Sequence, residues 1–189
     1  MNQHAPTVRR PATYQDVLDA PATLVAELVE GALHLYPRPA PRHARASSSL
    51  GVWIGGPFDS GPAGPGGWWI LDEPEFHLGQ DVVVPDLAGW RRERMPSLPE
   101  TAWFELAPDW ACEVLSPGTR TLDLTDKRRL YAAAGVASLW FVDPIARTLE
   151  AFALRDGAWT LVAALKDAEE VRVAPFDAIA FSLSVLWPD

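Results

Sequence analysis

Residues 81–90 read DVVVPDLAGW, and residues 110–117 read WACEVLSP. In the first stretch three valines lead into Pro85-Asp86, and in the second a single acid, Glu113, interrupts an apolar run. Short apolar runs of this kind are typical of core strands that are covered on both faces. The two stretches therefore predict two neighbouring strands in the core, each of which carries a carboxylate.

Outward from these stretches, strand-like and helix-like patterns alternate, which predicts a mixed α/β fold. The clearest helix is 122–134, because it holds strong helix formers without an internal Gly or Pro and stops at Gly135. A second helix is predicted at 43–54. A third, short helix is predicted to begin after Thr13, since Asp16 stands at capping-box spacing.

The remaining elements are placed by alternation and by turn residues. We expect two strands within 23–36 that meet at Glu30-Gly31, single strands at 68–78, 81–90, 110–115 and 138–142, and a hairpin of 148–154 and 159–164 around Asp156-Gly157. Segment 55–67 is mostly Gly and Pro and is predicted to be a flexible surface loop. Segment 95–108 is predicted to be a connection.

The chain has 189 residues, of which 48% are hydrophobic and 22% charged, as in ordinary globular proteins. This length predicts one domain, placed at 13–189, after a loose polar segment at 1–12. The 13 glycines and 18 prolines exclude a helical bundle or a coiled coil. The one cysteine, Cys112, excludes an intrachain disulfide framework and a cysteine zinc cage.

The 16 basic and 25 acidic residues give a net charge of −9. A protein that coats nucleic acid by charge alone is therefore not expected, because such proteins need a broad basic surface. The sequence has neither a signal-peptide pattern nor an apolar stretch of about 18 residues, so we expect no membrane span and a cytoplasmic protein.

Three charged residues stand where apolar residues are expected. Asp86 follows three valines and a proline, Glu113 lies within an apolar strand, and Lys127 lies on the apolar face of a predicted helix. Burial of an unpaired charge is costly, and a divalent cation such as Mg²⁺ held by the two carboxylates would explain them together. The backbone carbonyl of Leu115 could supply a third oxygen. Lys127 could stabilise charge on a reacting phosphate or orient the attacking water.

An ordinary structural explanation is available for each of these residues alone. Glu113 and Lys127 would form a buried ion pair, and Asp86 would cap the end of a strand. Asp123 stands four residues before Lys127, which predicts an ion pair on the helix surface. The three residues taken together favour a site.

The spacing of Asp86 and Glu113, which lies 27 positions further on, resembles the PD-(D/E)xK nuclease superfamily. The usual pattern has a lysine two residues after the second acid, where this chain has Leu115. Some branches supply that lysine from the following helix, where Lys127 lies. Longer stretches resemble the Uma-type family of restriction endonucleases within this superfamily, over about 14–159: AELVEG at 26–31, DVVVPDLA at 81–88, CEVLSP at 112–117, KRRLYAAAGV at 127–136 and LWFVDP at 139–144.

The resemblance implies a restriction-endonuclease-like core, in which a mixed central β-sheet is flanked by helices. By position, Asp86 and Glu113 match the metal ligands of the family, and Lys127 matches its catalytic lysine. Glu27 matches an acidic residue that contacts the metal or its water, and His43 matches a histidine that opens the next helix. The implied activity is hydrolysis of DNA phosphodiester bonds with Mg²⁺, for which Mn²⁺ can substitute. By analogy with nucleases of this fold, a homodimer is expected.

Three basic clusters could steer phosphate toward a site on an acidic protein. The clusters are Arg38, Arg42, His43 and Arg45; Arg91, Arg92 and Arg94; and Arg120, Lys127, Arg128 and Arg129. Among them, Arg42, His43 and Arg128 are predicted to bind the substrate. For the second cluster, a solvated arginine face is the ordinary alternative.

Two functions from different classes remain open. The first is a Mg²⁺-dependent endonuclease in which Asp86, Glu113 and Lys127 act together. The second is a non-catalytic module of the same fold that binds nucleic acid or protein, favoured by the acidic net charge and the displaced lysine. Hydrolysis of another phosphate ester is a third, weaker alternative.

Overall fold

Two main β-sheets with helices packed against them form most of the structure, a computed structural model that describes residues 10–61 and 64–187. The strands are, in chain order, β1 (Leu24–Val29), β2 (Ala32–Pro37), β3 (Trp68–Asp72), β4 (Phe76–Leu78), β5 (Asp81–Val83), β6 (Leu87–Arg91), β7 (Trp110–Val114), β8 (Ser138–Asp143), β9 (Thr148–Arg155), β10 (Ala158–Lys166), β11 (Glu170–Val171) and β12 (Phe181–Ser182). The helices are α1 (Tyr14–Leu18), α2 (Pro41–Gly55), α3 (Arg120–Leu122) and α4 (Arg128–Ala133), with π-helical turns at Gly56–Ser60 and Asp123–Lys127 and a 3-10 turn at Leu183–Leu186.

The larger sheet has six strands in the spatial order β10-β9-β8-β7-β6-β3. It is mixed, because β7 and β8 run parallel while the other neighbouring pairs are antiparallel. The smaller sheet is antiparallel, in the order β2-β1-β5-β4, and β11 pairs with β12 separately. All residues of β7 are buried, which confirms the core strand predicted at 110–115.

Helices cover both faces of the larger sheet. On one face, Leu50 of α2 belongs to the same buried cluster as Trp110 of β7. On the other face, Tyr131 of α4 belongs to the same cluster as Ala111. Because consecutive residues of a strand point to opposite faces, this alternation along β7 decides which layer each side chain enters. The arrangement confirms the expected mixed central sheet flanked by helices.

Two strands that were predicted to be continuous are each broken in two. The segment 68–78 divides into β3 and β4, and 81–90 divides into β5 and β6; the chain changes sheet both times. Glu73 has a φ of 44° in the first break, and its N–H donates to the carbonyl of Asp86 in the second, at 3.2 Å. Pro85 has no N–H to donate to a strand pairing. The prediction was wrong because apolar patterning does not record a change of sheet.

The loop predicted at 55–67 is wrong in its first half. Residues 56–60 continue α2 as a π-helical turn, in which Phe58 is buried against the core. The carboxylate of Asp59 accepts a hydrogen bond from the N–H of Ile70 at 3.2 Å and pairs with Arg92 at 2.5 Å. These contacts attach the segment to β3. Residues 62–63 lie outside the described residues.

Several local predictions are confirmed. Both residues of the turns at 30–31 and 156–157 have positive φ, as a tight hairpin requires. Asp16 accepts a hydrogen bond from the N–H of Thr13 at 2.7 Å, which completes the capping interaction at the start of α1. Residues 120–133 are helical throughout, although their centre is a π turn.

The loose segment predicted at 1–12 falls mostly outside the described residues. At its end, the N–H of Ala12 donates to the carbonyl of Gly31 at 2.8 Å. The single domain at 13–189 stays a prediction. In the part of the chain that the structure describes, no helix is long and apolar enough to cross a membrane.

Candidate active site

A pocket of about 300 Å³ opens between the smaller sheet, the start of α2 and the π turn at 123–127. It brings together five residues that the sequence analysis singled out: Glu27, His43, Asp86, Glu113 and Lys127. Residues 37–40 and 116–119 also line it. Residues from five separate segments of the chain therefore face one space.

Asp86 is positioned by the break between β5 and β6. Its Oδ2 accepts a hydrogen bond from the N–H of Val114 at 2.7 Å, which ties it to the end of β7. Its Oδ1 lies 3.2 Å from Nε2 of His43, on the first turn of α2. The Asp86 side chain is 16% exposed, so it is accessible from the pocket.

The side-chain direction of Glu113 is determined by its place in β7, where consecutive side chains point to opposite faces of the sheet. Cys112 and Val114 face the layer that holds α2, so Glu113 faces the layer that holds α4. Its Oε1 accepts a hydrogen bond from the hydroxyl of Tyr131 at 2.5 Å and lies 2.7 Å from Nζ of Lys127. The Glu113 side chain is only 2% exposed.

Lys127 lies among three carboxylates, which together with Asp86 we call the acidic cluster. Its Nζ is 2.7 Å from Glu113, 2.9 Å from Glu27 and 3.5 Å from Asp123. It also donates to the carbonyl of Val84 at 3.4 Å, and its side chain is 2% exposed. Glu27 in turn accepts a hydrogen bond from the N–H of Val84 at 2.7 Å, so β1 and the break after β5 are joined at this point.

A π-helical turn supplies both Asp123 and Lys127. Such turns insert one residue into a helix and are frequent at functional sites, because they re-aim the side chains that follow. Here Asp123 and Lys127 are both buried, although Asp123 was expected to pair with Lys127 on the helix surface. The predicted pair is present at 3.5 Å, but its placement on the helix surface was wrong, because helical spacing alone does not show which face of a helix is covered.

The pKa values in the pocket reflect burial opposed by charge. Burial raises the pKa of Glu113 well above its ordinary value, against the opposing charge of Lys127. Burial raises the pKa of Asp123 to about 6. Burial lowers the pKa of Lys127, but the neighbouring Glu113 and Glu27 outweigh this effect and leave it well above its ordinary value, so Lys127 is an ammonium.

His43 is subject to the same competition. Burial lowers its pKa, but the hydrogen bond and charge of Asp86 outweigh that effect, and the net change is upward. Its Nδ1 is buried and has no hydrogen-bond partner among the residues described. His43 is thus an imidazole held by one nitrogen at the edge of the acidic cluster.

The donor set fits a hard divalent cation. Five carboxylates line the pocket with three basic groups, so acidic side chains outnumber basic ones there; they are Glu27, Glu73, Asp86, Glu113 and Asp123, with Arg38, His43 and Lys127. Within residues 10–61 and 64–187, no three His, Cys, Asp or Glu side chains converge closely enough to hold a metal by themselves. Mg²⁺ does not require such a cage, because it is usually bound by one or two carboxylates together with water and substrate phosphate.

Three of the predicted residues are not brought into the pocket. Leu115 is buried in the cluster beneath α4, and its N–H donates to the carbonyl of Val142 at 2.7 Å. The guanidinium of Arg128 lies 4.5 Å from the centre of the Phe152 ring. Arg42 is exposed on α2, next to the pocket-lining His43 but not in the wall itself. The roles predicted for these three residues stay predictions.

Sequence reasoning missed the part that Tyr131 plays. Its hydroxyl is fully buried against Glu113. A signal was present, since Tyr131 follows Lys127 by four residues and therefore lies on the same helix face. The ring of Tyr131 belongs to the apolar core, as expected of a tyrosine on the apolar face of a helix.

Comparisons with known proteins agree with this fold. The family model that matches the chain is Uma2, described as "Putative restriction endonuclease", over residues 11–185. A solved structure from Anabaena variabilis ATCC 29413, a "putative nuclease belonging to DUF820", is similar, with 22% identity and a TM-score of 0.75. The similarity covers 93% of this chain and 97% of that chain, and it establishes the fold. No curated protein matches the chain. Because the family model covers most of the sequence, the chain belongs to the Uma2 family of restriction-endonuclease-like proteins.

Proposed function

We propose that this protein is a Mg²⁺-dependent endonuclease that hydrolyses DNA phosphodiester bonds, with Mn²⁺ able to replace Mg²⁺. The observation that carries the proposal is the convergence of Asp86, Glu113 and Lys127 in one pocket, although they come from three separate segments. Burial of several carboxylates together costs free energy unless a cation compensates their charge. The family and the fold support the same activity.

Asp86 and Glu113 are the residues that would hold the metal, which when bound polarises a phosphate oxygen and lowers the pKa of water. Lys127 holds Glu113 and Glu27 through its ammonium group, so both carboxylates keep a fixed orientation. The hydroxyl of Tyr131 donates a hydrogen bond to Oε1 of Glu113, the oxygen that also faces Nζ of Lys127. His43 orients Asp86 through Oδ1.

DNA cleavage with matched variants tests this proposal. Purified protein is incubated with supercoiled plasmid and with circular single-stranded DNA, in Mg²⁺, in Mn²⁺ or in chelator. We expect metal-dependent cleavage by the wild type and at least a 100-fold loss in Asp86→Asn, comparable with the loss of a major electrostatic group in other active sites, about 10² to 10³. Asp177→Asn, which changes an exposed aspartate far along the chain, serves as the control.

Two results would count against the endonuclease. Cleavage that survives Asp86→Asn would mean that another site or a contaminant acts. Metal-independent DNA or protein binding without any cleavage, unaffected by Asp86→Asn, would favour the non-catalytic module instead. Cleavage of small phosphodiesters with intact DNA left alone would indicate another phosphate ester as substrate.

The homodimer expected by analogy is a separate part of the proposal. A twofold axis would place two copies of the site in one particle. Sedimentation velocity across protein concentrations measures it directly. A species that stays monomeric at all concentrations would remove the dimer from the proposal and leave the endonuclease intact.

A further inference from the structure

One wall of the pocket comes from a segment without acidic residues. Residues 31–58 contain no Asp or Glu, in a chain whose net charge is −9. The segment forms β2 and α2, and it contributes Arg38 and His43 to the pocket lining. Its arginines, Arg38, Arg42 and Arg45, are all exposed. We call these three residues the arginine arm.

The arginine arm differs from the other two basic clusters in its partners. Arg92 pairs with Asp59 at 2.5 Å and Arg94 with Asp109 at 2.8 Å. Two of the three arginines in the second cluster are therefore engaged in ion pairs within the protein. In the third cluster, Arg120 pairs with Asp143 and Arg129 with Asp126.

Within the arm, by contrast, little charge is compensated. Among the described residues, neither Arg42 nor Arg45 has an acidic partner within ion-pair distance. Arg38 approaches Glu73 only at 3.5 Å, and its side chain remains 59% exposed. Arg38 lines the pocket and Arg42 precedes the pocket-lining His43, while Arg45 also donates to the carbonyl of Val185 at 3.3 Å. The arm therefore presents exposed positive charge beside the pocket, which is suited to binding phosphates.

The depth of the acidic cluster limits which nucleic acid can reach it. Glu113 and Lys127 are 2% exposed, and they lie in a pocket that residues 37–40 and 116–119 also line. A duplex is stiff, with a persistence length of about 150 base pairs, and does not easily bend one phosphate inward. An unpaired strand can turn a single phosphodiester into a narrow pocket.

Aromatic groups adjoin the same wall. The ring of Tyr36, which lines the pocket, stacks on His34 with an interplanar angle of 13°. A positive track combined with aromatic rings is the usual composition of sites for unpaired strands, because every base has a face that can stack.

From the uncompensated arm and the recessed cluster, we propose that the substrate is an unpaired nucleic-acid strand, whose phosphates lie along Arg38, Arg42 and Arg45. The proposal rests on the function proposed above for its choice of a phosphodiester ligand. DNA and RNA share the backbone chemistry that this surface recognises. The binding experiment distinguishes between them.

Fluorescence anisotropy of labelled oligonucleotides tests the proposal, with full-length Asp86→Asn protein in chelator so that no cleavage occurs. Single-stranded DNA, single-stranded RNA and duplex DNA of equal length are compared over a range of salt concentrations. We expect at least tenfold tighter binding of an unpaired strand than of the duplex. The triple variant R38A/R42A/R45A should bind at least tenfold more weakly, and the slope of log affinity against log salt should fall by about 0.7 for each phosphate that an arginine no longer neutralises.

The control removes the same number of charges elsewhere. Arg155, Lys166 and Arg172 are exposed and lie outside the pocket lining, so R155A/K166A/R172A tests the effect of net charge alone. Equal losses of affinity in the two triple variants, or a duplex bound as tightly as either unpaired strand, would overturn the proposal.

The outcome also separates the two proposals. Binding that requires the arginine arm, combined with no cleavage by the wild type in any metal, would retain the strand site and reject the endonuclease. Cleavage that is unaffected by removal of the arm would do the reverse.

Discussion

Glu113 is held by two residues one helical turn apart, and this geometry determines what its carboxylate can do. Lys127 and Tyr131 both reach Oε1, so one oxygen of the group is fully engaged by the helix. Neighbours that orient a metal-binding carboxylate contribute to metal affinity without touching the metal, and their removal commonly costs about 10- to 100-fold. Tyr131 is therefore a positioning residue.

Replacement of Tyr131 by Phe removes only this hydroxyl. We expect a free energy of unfolding lower by about 1–3 kcal/mol, since a buried acceptor loses its donor, and a Mn²⁺ dissociation constant raised by about tenfold or more. Urea unfolding and Mn²⁺ titration measure the two effects. Tyr36→Phe is the control, because among the described residues that hydroxyl has only a long contact of 3.4 Å, with His34. Matching effects in both variants would contradict the role of Tyr131.

Asp123 predicts a dependence of stability on pH. Its pKa in the fold, about 6, lies above its ordinary value because of burial, so the folded state favours the protonated form. The resulting stabilisation is fully present below the ordinary pKa and is lost as the pH rises through about 6.

The neutral variant Asp123→Asn tests this dependence in chelator. Relative to the wild type, it should gain on the order of 1–3 kcal/mol of stability between about pH 4 and about pH 7.5, because an amide carries no charge at either pH. Chemical denaturation at the two pH values measures the difference. A constant difference between the two proteins would show that Asp123 does not titrate in this range.

Among the residues of the pocket, the sequence could identify those whose chemistry conflicts with their surroundings. Asp86, Glu113 and Lys127 were recognised because charge stands in apolar sequence, and the resemblance to a family added Glu27 and His43. Tyr131 could not be recognised in this way, because a tyrosine within an apolar helix face raises no conflict. Only the contact distances show that this tyrosine also hydrogen-bonds Glu113 in addition to packing in the core, and a sequence does not contain those distances.

At the scale of elements, local patterns were reliable where the physics is local. The turns at 30–31 and 156–157 and the helix at 120–133 follow from left-handed residues, helix formers and a glycine stop. The breaks at Glu73 and at residues 84–86 depend instead on which sheet each half of a strand joins. The π turn at 123–127 likewise depends on tertiary contacts of Lys127, with the carboxylates of Glu27 and Glu113.

β6 illustrates how tightly the elements around the site are packed. A methyl group added at Gly89 would lie 2.9 Å from Cδ1 of Ile70 and 3.2 Å from the ring of Trp68. Gly89→Ala should therefore lower the free energy of unfolding by about 1–3 kcal/mol, as overpacking of a core does. Urea unfolding measures the change.

Gly55 supplies the matched control on another element. It ends α2 in a helical conformation, and a methyl group there would meet no atom of residues 10–61 and 64–187 within 4 Å. Gly55→Ala should leave stability unchanged or raise it by about 0.5–1 kcal/mol. If both variants destabilised equally, the crowding at Gly89 would not be the cause.

On the scale of the whole molecule, one buried cluster joins the two sheets. Val29 and Val83 of the smaller sheet belong to the same cluster as Leu139 and Phe141 of the larger one. Neither sheet can therefore expose this face without disturbing the other. This shared core supports the prediction of one domain at 13–189.

A shared core predicts cooperative unfolding. Tryptophan fluorescence reports mainly on the larger sheet, whose strands contain six of the nine tryptophans, whereas far-ultraviolet circular dichroism reports on all elements. We expect both signals to change at one urea midpoint, as in a two-state transition. Two separate midpoints would indicate that the smaller sheet unfolds on its own and would contradict the single domain.

The proposed chemistry depends on one divalent cation in the pocket. Titration of the full chain with Mn²⁺, with free Mn²⁺ followed by electron paramagnetic resonance, measures this directly. We predict one site per chain in the wild type and in Asp177→Asn, and no such site in Asp86→Asn or in Glu113→Gln. Saturable binding that persists in both pocket variants, or no binding by the wild type at millimolar Mn²⁺, would contradict the proposed metal centre.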